Sequence, residues 1–160
     1  MPNRRLKNIN LIFINEESAM VLFKKIIPLI AIIALLACGT STASILEASE
    51  KGDLAAVKTL LENDSLLINT IDNAGYAPLH KAAYNNHLEV VKYLISKGAN
   101  LNVRSGGGST PLHGAANSGY LETVRFLVEN GADLSIANNN GFTPLLSACV
   151  AGKTEVAEYL

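Results

Sequence analysis

Three segments of this chain recur at one interval. Ala77-Pro78-Leu79-His80, Thr110-Pro111-Leu112-His113 and Thr143-Pro144-Leu145-Leu146 begin at 77, 110 and 143, so both steps are 33 residues. A fixed period of this size belongs to stacked arrays of one supersecondary unit. A unit that short cannot enclose a core alone. It must cover its apolar flanks with its neighbours, which restricts the chain to a solenoid.

The stretch from Thr110 to Leu134 shows what the unit is. Thr110 stands where a helix starts, and its hydroxyl is expected to accept from a backbone N–H that has no intrahelical partner. Pro111 follows at the first helical position, where its missing N–H costs nothing. Ala115 and Ala116 let a second helix approach closely, and Gly119 permits the reversal between helices. Leu121, Val124, Leu127 and Val128 form an apolar stripe at helical spacing. Gly131 is placed to end that helix in the left-handed conformation. The corresponding stripe before Gly98 is Leu88, Val91, Leu94 and Ile95, and the earlier one is Leu54, Val57, Leu60 and Leu61.

These residues resemble the ankyrin repeat from about Ile45 to Leu160. The resemblance implies an all-α solenoid of helix–turn–helix repeats with β-hairpin-like finger loops. About four repeats are expected, at 45–72, 73–105, 106–138 and 139–160, the last one incomplete. In such arrays the concave face, made of finger tips and the outer side of each first helix, binds protein partners. Carried over by position, that face comprises Asn73, Ala74, Tyr76, Tyr84 and Asn85, then Gly107, Ser109, Asn117 and Ser118. Repeat four adds Asn139, Asn140, Phe142, Val150 and Ala151. Tyr76, Tyr84 and Phe142 are the aromatic anchors of the set, and such residues dominate interfaces where they fill pockets.

Within that frame the repeats differ. Repeat one lacks the Thr-Pro start, and Glu47, Glu50, Lys51 and Asp53 make its outer side polar, as an end cap requires. Its helices are offset by 34 residues from those of repeat two, which puts one extra residue in the loop Asn63–Leu67. Gly106-Gly107-Gly108 predicts the most mobile finger of the array. Repeat four carries Leu146 in place of the histidine, and its final stripe is weakened by Thr154 and Ala157. The chain stops at Leu160 inside the second helix of that repeat, so a truncated array is expected, with a short frayed helix as the alternative. The apolar side of repeat four could then serve as a docking surface.

Ahead of the array, Ile26–Ala37 is an apolar run of 12 residues preceded by Lys24-Lys25 and ended by Cys38. That is the pattern of a secretory signal, and the run is short of the roughly 20 residues a transmembrane helix needs. Leu35-Leu36-Ala37-Cys38 resembles the lipobox of bacterial lipoproteins, which implies acylation of Cys38 with palmitate-type chains. Residues 1–37 are thus expected to be leader and signal, with translation starting at Met20. Residues 38–44 would be the lipidated cysteine and a polar tether. By resemblance to enterobacterial sorting, Gly39 after the cysteine points to the outer membrane.

Charge and chemistry exclude several functions. The chain has 13 Lys and Arg and 14 Asp and Glu; five and two of these precede Cys38. The part from Cys38 onward is therefore at 8 − 12 = −4, with no basic cluster, which disfavours nucleic acid. No phosphate loop and no nucleophile elbow is present, so no catalytic residue and no cofactor is expected. His80 and His113 occupy one register, where the resemblance implies hydrogen bonding across the helix start. No further ligands at zinc spacing accompany them. His87 is expected in a surface turn. Tyr93, Tyr120 and Tyr159 are expected at packing edges, and Cys149, in the register of Ala83 and Ala116, is expected to be buried and inert. The expected protein is a monomeric, non-catalytic partner-binding module held in the bacterial envelope by lipid on Cys38. The alternatives are a surface-exposed or host-directed effector, and an inhibitor or immunity-type protein that blocks an enzyme.

Overall fold

The structure is a computed structural model that describes residues 44–160. The leader, the signal, Cys38 and residues 39–43 of the tether lie outside the described residues. The described chain forms four helical pairs and no strand. They are α1 (Ile45–Lys51) with α2 (Leu54–Asn63), α3 (Pro78–Tyr84) with α4 (Leu88–Ser96), α5 (Pro111–Ser118) with α6 (Leu121–Glu129), and α7 (Pro144–Val150) with α8 (Thr154–Tyr159). First helices pack on first helices and second on second in sequence order, which is the stack demanded by the 33-residue period.

Local chemistry sets each helix start. Ser44 accepts from the N–H of Glu47 at 3.2 Å, and Asp53 accepts from that of Ala56 at 2.9 Å. Proline opens α3, α5 and α7. The turn inside each pair needs one residue at positive φ. Gly52, Gly119 and Gly152 supply it, and Asn86 takes the same place in repeat two at φ 59°. Asparagine tolerates that region better than other side chains. Its Oδ1 accepts the Thr123 hydroxyl at 3.0 Å, which ties the turn to the next repeat.

The core runs through the stack. Leu79, Leu94, Leu112 and Leu127 are its largest wholly buried side chains, with Ala82, Ala83, Ala115 and Ala116 between them. Burying each leucine contributes about 1.5–3 kcal/mol. The second-helix stripe is shifted from the sequence expectation. Val90 and Thr123 are buried beside Val91, Leu94, Val124 and Leu127, whereas Leu88, Ile95, Leu121 and Val128 are half-buried. A second helix in a stack is covered from two sides, and Thr123, bonded to Asn86, faces the preceding repeat. A one-face stripe misses that second side.

The fingers are hairpin-like turns. In each, the first residue donates its N–H to a carbonyl four residues on: Asp72 to Tyr76, Ser105 to Ser109 and Asn138 to Phe142, at 3.0, 2.9 and 2.8 Å. The tips are then joined by main-chain bonds. Gly106 N–H donates to Ala74 O at 2.8 Å, and Asn139 N–H donates to Gly107 O at 3.0 Å. A Cβ at Gly106 would lie 2.9 Å from Ala74 O, and one at Gly75 would lie 2.6 Å from Gly106 N. The glycine-rich finger is therefore bonded on both sides. Gly106 permits the close approach to Ala74 that this bonding requires.

Other expectations are corrected as well. Thr110 does not cap a backbone N–H; its hydroxyl meets His113 Nδ1 at 2.8 Å. Thr143, followed by Leu146 instead of histidine, does accept from a backbone N–H, that of Leu146, at 3.3 Å. The extra residue near Asn63–Leu67 is absorbed by a 3₁₀ helix, Ser65–Asn69, whose first turn is capped by Asp64 at 2.9 Å. Cys149 is exposed, because the face that Ala83 and Ala116 present to a following repeat has none packed on it in repeat four.

Candidate binding groove

Three rows of side chains, each spaced by 33 residues, cross the concave face. The residues before the helix caps are Tyr76, Ser109 and Phe142. Those on the first helices are Lys81, Gly114 and Ser147. Those at the helix ends are Tyr84, Asn117 and Val150. The structure brings Tyr76, Tyr84, Ser109, Asn117, Phe142 and Val150 together around one groove of about 210 Å³. A second hollow of about 250 Å³, between repeats one and two, shares Tyr76 and Tyr84 and adds Glu50, Lys81 and Asn85. Tyr84 and Val150 are 56% and 67% exposed, so both present apolar surface that nothing in the fold covers.

Asn73 and Asn140 are exposed on finger tips, away from both hollows. Ser118 stands 3.5 Å from the carbonyl of Tyr84, at the end of α5. Asn85 donates its side-chain amide to Lys81 O at 2.9 Å.

The first-helix row was not legible as a site in advance. Gly114 carries no side chain, and an added Cβ would sit 3.5 Å from the Tyr84 ring. Lys81, one repeat earlier, is tied down instead: its Nζ lies 3.2 Å from Asp72 Oδ2, 3.6 Å from Glu50 Oε2 and 5.3 Å from the Tyr76 ring centre. Desolvation opposes charge on Lys81, but the bond to Asp72 and the nearby carboxylates outweigh it and raise its pKa. Desolvation also works against Asp72, yet the Tyr76 N–H, Lys81 and the Ala74 N–H hold its carboxyl below the usual range. The shared 33-residue register of 81, 114 and 147 was the available signal.

The groove floor is built by two histidines whose tautomers the bonding fixes. His80 Nδ1 accepts from Ala77 N–H at 3.0 Å, so the proton sits on Nε2, which donates to Ser109 O at 2.9 Å. His113 repeats the pattern, with Nδ1 accepting from Thr110 N–H at 3.1 Å and Nε2 donating to Phe142 O at 2.9 Å. Each ring therefore clasps its own helix start and the next finger. Burial is the largest influence on both and pushes their pKa below 6.5, against the carbonyl bonds that favour the charged form. Both nitrogens of each ring are occupied, which leaves none for a metal. Among the described residues no cluster of three potential ligand side chains is present. His87 also joins repeats: its Nε2 lies 2.9 Å from Glu50 O and its ring packs over Gly52.

Two family models match the chain. Ankyrin repeats (many copies) covers residues 60–113, and Ankyrin repeats (3 copies) covers residues 102–160. Similar curated proteins include Palmitoyltransferase AKR1 of Naumovozyma castellii, 48% identical over 60 residues, which are 38% of this chain and 8% of that protein. Ankyrin repeat domain-containing protein 49 of Bos taurus is 47% identical over 58 residues, 36% of this chain and 24% of that one. Alpha-latrocrustotoxin-Lt1a of Latrodectus tredecimguttatus is 45% identical over 53 residues, 33% and 4% respectively. The chain thus matches no more than 24% of the length of any of these three. What a transferase and a toxin share with it is the repeat, a module of protein–protein interaction. The stack, the histidine clasps and both family models agree, and the chain belongs to the ankyrin-repeat family over residues 60–160.

Proposed function

We propose that the protein is a non-catalytic partner-binding module that receives another protein on its concave face. The observation that carries this reading is the convergence of Tyr76, Tyr84, Phe142 and Val150 on one groove with Ser109 and Asn117. Aromatic anchors with small polar neighbours make a surface of large contact area and adaptable hydrogen bonding. At about 210 Å³ the groove falls below the 300–1,000 Å³ typical of small-molecule sites, which favours a side chain presented by a protein. Replacing Tyr84 and Phe142 together by alanine is expected to reduce recovery of a partner crosslinked in the native cell at least tenfold, with helical circular dichroism unchanged. Undiminished recovery would place the interface elsewhere.

The remainder of the proposal concerns location. Lys24-Lys25, the apolar run Ile26–Ala37 and the Leu35–Cys38 lipobox support processing at Cys38 and lipid anchoring of a monomer in the bacterial envelope. Two or more acyl chains, at about 0.8 kcal/mol per buried methylene, would hold it there durably. No helix among the described residues is long and apolar enough to cross a membrane. Cys38→Ser should move the protein from the membrane fraction to the soluble one, and retention in membranes would count against lipidation. The relatives named above are eukaryotic, which favours, as a second reading, a eukaryotic partner met outside the cell. Digestion of intact cells by an added protease separates a surface-exposed array from a periplasmic one.

A further inference from the structure

The three concave rows are not uniform. Repeat two presents Tyr76, Lys81 and Tyr84; repeat four presents Phe142, Ser147 and Val150; repeat three presents only Ser109, Gly114 and Asn117. Repeat three is therefore a dip between two taller shoulders. Its lowest point is Gly114, a helical residue whose missing side chain bares the edge of the Tyr84 ring. Phe142 and Val150 close the opposite side, and Asn117 stands exposed at the rim.

The chemistry of the dip restricts what can enter. No carboxylate, lysine or arginine lines it. Polar groups below the rim are already bonded within the fold. The Thr110 hydroxyl meets His113, the Ser147 hydroxyl donates to Thr143 O at 3.0 Å, and Asn138 accepts from two N–H groups of its own finger. A charged group placed there would lose part of its hydration and meet no opposite charge, which is unfavourable. An apolar ring would cover Tyr84, Phe142 and Val150, which are apolar side chains of the lining. Size agrees: a cavity of about 150 Å³ holds one benzene ring, and the groove offers about 210 Å³.

We infer that the notch over Gly114 is a specificity pocket that receives one uncharged aromatic side chain from the protein partner. This rests on the concave-face reading above and adds the chemistry of the residue recognised. The ring lies against Tyr84 on one side and Phe142 and Val150 on the other, and Gly114 determines the depth.

The test uses side-chain analogues on the ¹⁵N-labelled full chain, followed by amide NMR. p-Cresol at millimolar concentration is expected to shift the amides of Gly114, Asn117 and Tyr84 saturably. n-Butylammonium and propionate at the same concentrations should leave them in place. Gly114→Leu fills the notch and should weaken p-cresol at least tenfold. Gly114→Ala, whose methyl fits at 3.5 Å from Tyr84, should weaken it less while retaining the parent spectrum elsewhere, so loss of fold is told apart from loss of the pocket. An equal p-cresol response in Gly114→Leu, or an equal response to the charged analogues, would overturn the pocket. If p-cresol leaves these amides unmoved while the Tyr84 and Phe142 double variant still abolishes partner capture, the pocket fails and the concave face stands. If p-cresol binds as expected and capture is indifferent to that variant, the notch holds a ring but receives none from the partner, and the partner-binding reading fails together with the specificity role.

Discussion

Ser49 is wholly buried, and its hydroxyl has no hydrogen-bond partner. Its register in repeats two and three is held by Ala83 and Ala116, both wholly buried. A buried hydroxyl that gave up water and received nothing costs about 1–3 kcal/mol. Ser49→Ala is therefore expected to stabilise the array by about 1 kcal/mol, read as a higher urea midpoint with an unchanged slope. A lower midpoint would mean that the hydroxyl has a partner. Residues of this kind mark the limit of what the sequence disclosed. Periodicity alone assigned Val91, Leu94, Val124 and Leu127 to an apolar stripe that is buried, and the resemblance to the ankyrin repeat placed Tyr76, Tyr84 and Phe142 on one face. It could not assign Cys149, whose exposure depends on what stacks beyond it. Nor could it assign Thr110, whose hydroxyl had two acceptable partners within reach. Burial set by a neighbouring unit and choices between equivalent bonds are decided by tertiary placement, and no local pattern encodes them.

At the scale of elements, helix starts and fingers behave differently. The starts follow from residue identity: where histidine stands third, as in α5, it takes the threonine hydroxyl, and where leucine replaces it, in α7, the hydroxyl caps the backbone. The fingers follow from the absence of side chains. Gly75 holds φ at +79° with its Cα facing Gly106 N. Gly75→Ala combines left-handed backbone strain with a contact of 2.6 Å against main chain. The expected loss is about 2 kcal/mol or more, since each such strain costs on the order of 1–3 kcal/mol by itself. Amide exchange of Gly106 should accelerate along with the global loss. A neutral outcome would show that the finger tips can separate without consequence. The Asp72, Ser105 and Asn138 positions that fold each finger back on itself lie at 33-residue spacing too. They escaped notice because aspartate, serine and asparagine share no obvious motif beyond their capacity to accept from a backbone N–H.

For the molecule as a whole, the histidine clasps link stability to pH. Both rings are bonded in the neutral form, and burial holds their folded pKa below the 6.5 of the unfolded chain. Below pH 6.5 the unfolded state therefore takes up protons that the folded state refuses, so stability is greatest above 6.5 and falls as the pH is lowered towards the depressed values. Asp72, held below its usual 3.8 despite desolvation, adds a further loss in acid as the pH drops past that value. Urea midpoints measured from pH 7.5 to 5 should decline with acidification. A flat or rising profile would contradict the bonding described for His80 and His113. The tip-to-tip links, by contrast, run through two main-chain bonds, Gly106 to Ala74 and Asn139 to Gly107, with one further bond from the Asn139 side chain to Gly106 O at 3.1 Å. They are a seam sewn largely through the backbone, and none of its atoms belongs to Tyr76, Tyr84, Phe142 or Val150. The upholstery of the trough can consequently be exchanged, ring for amide or amide for aliphatic, while the pitch between neighbouring units stays as it is. In this molecule the surface that recognises and the frame that spaces it rest on different atoms.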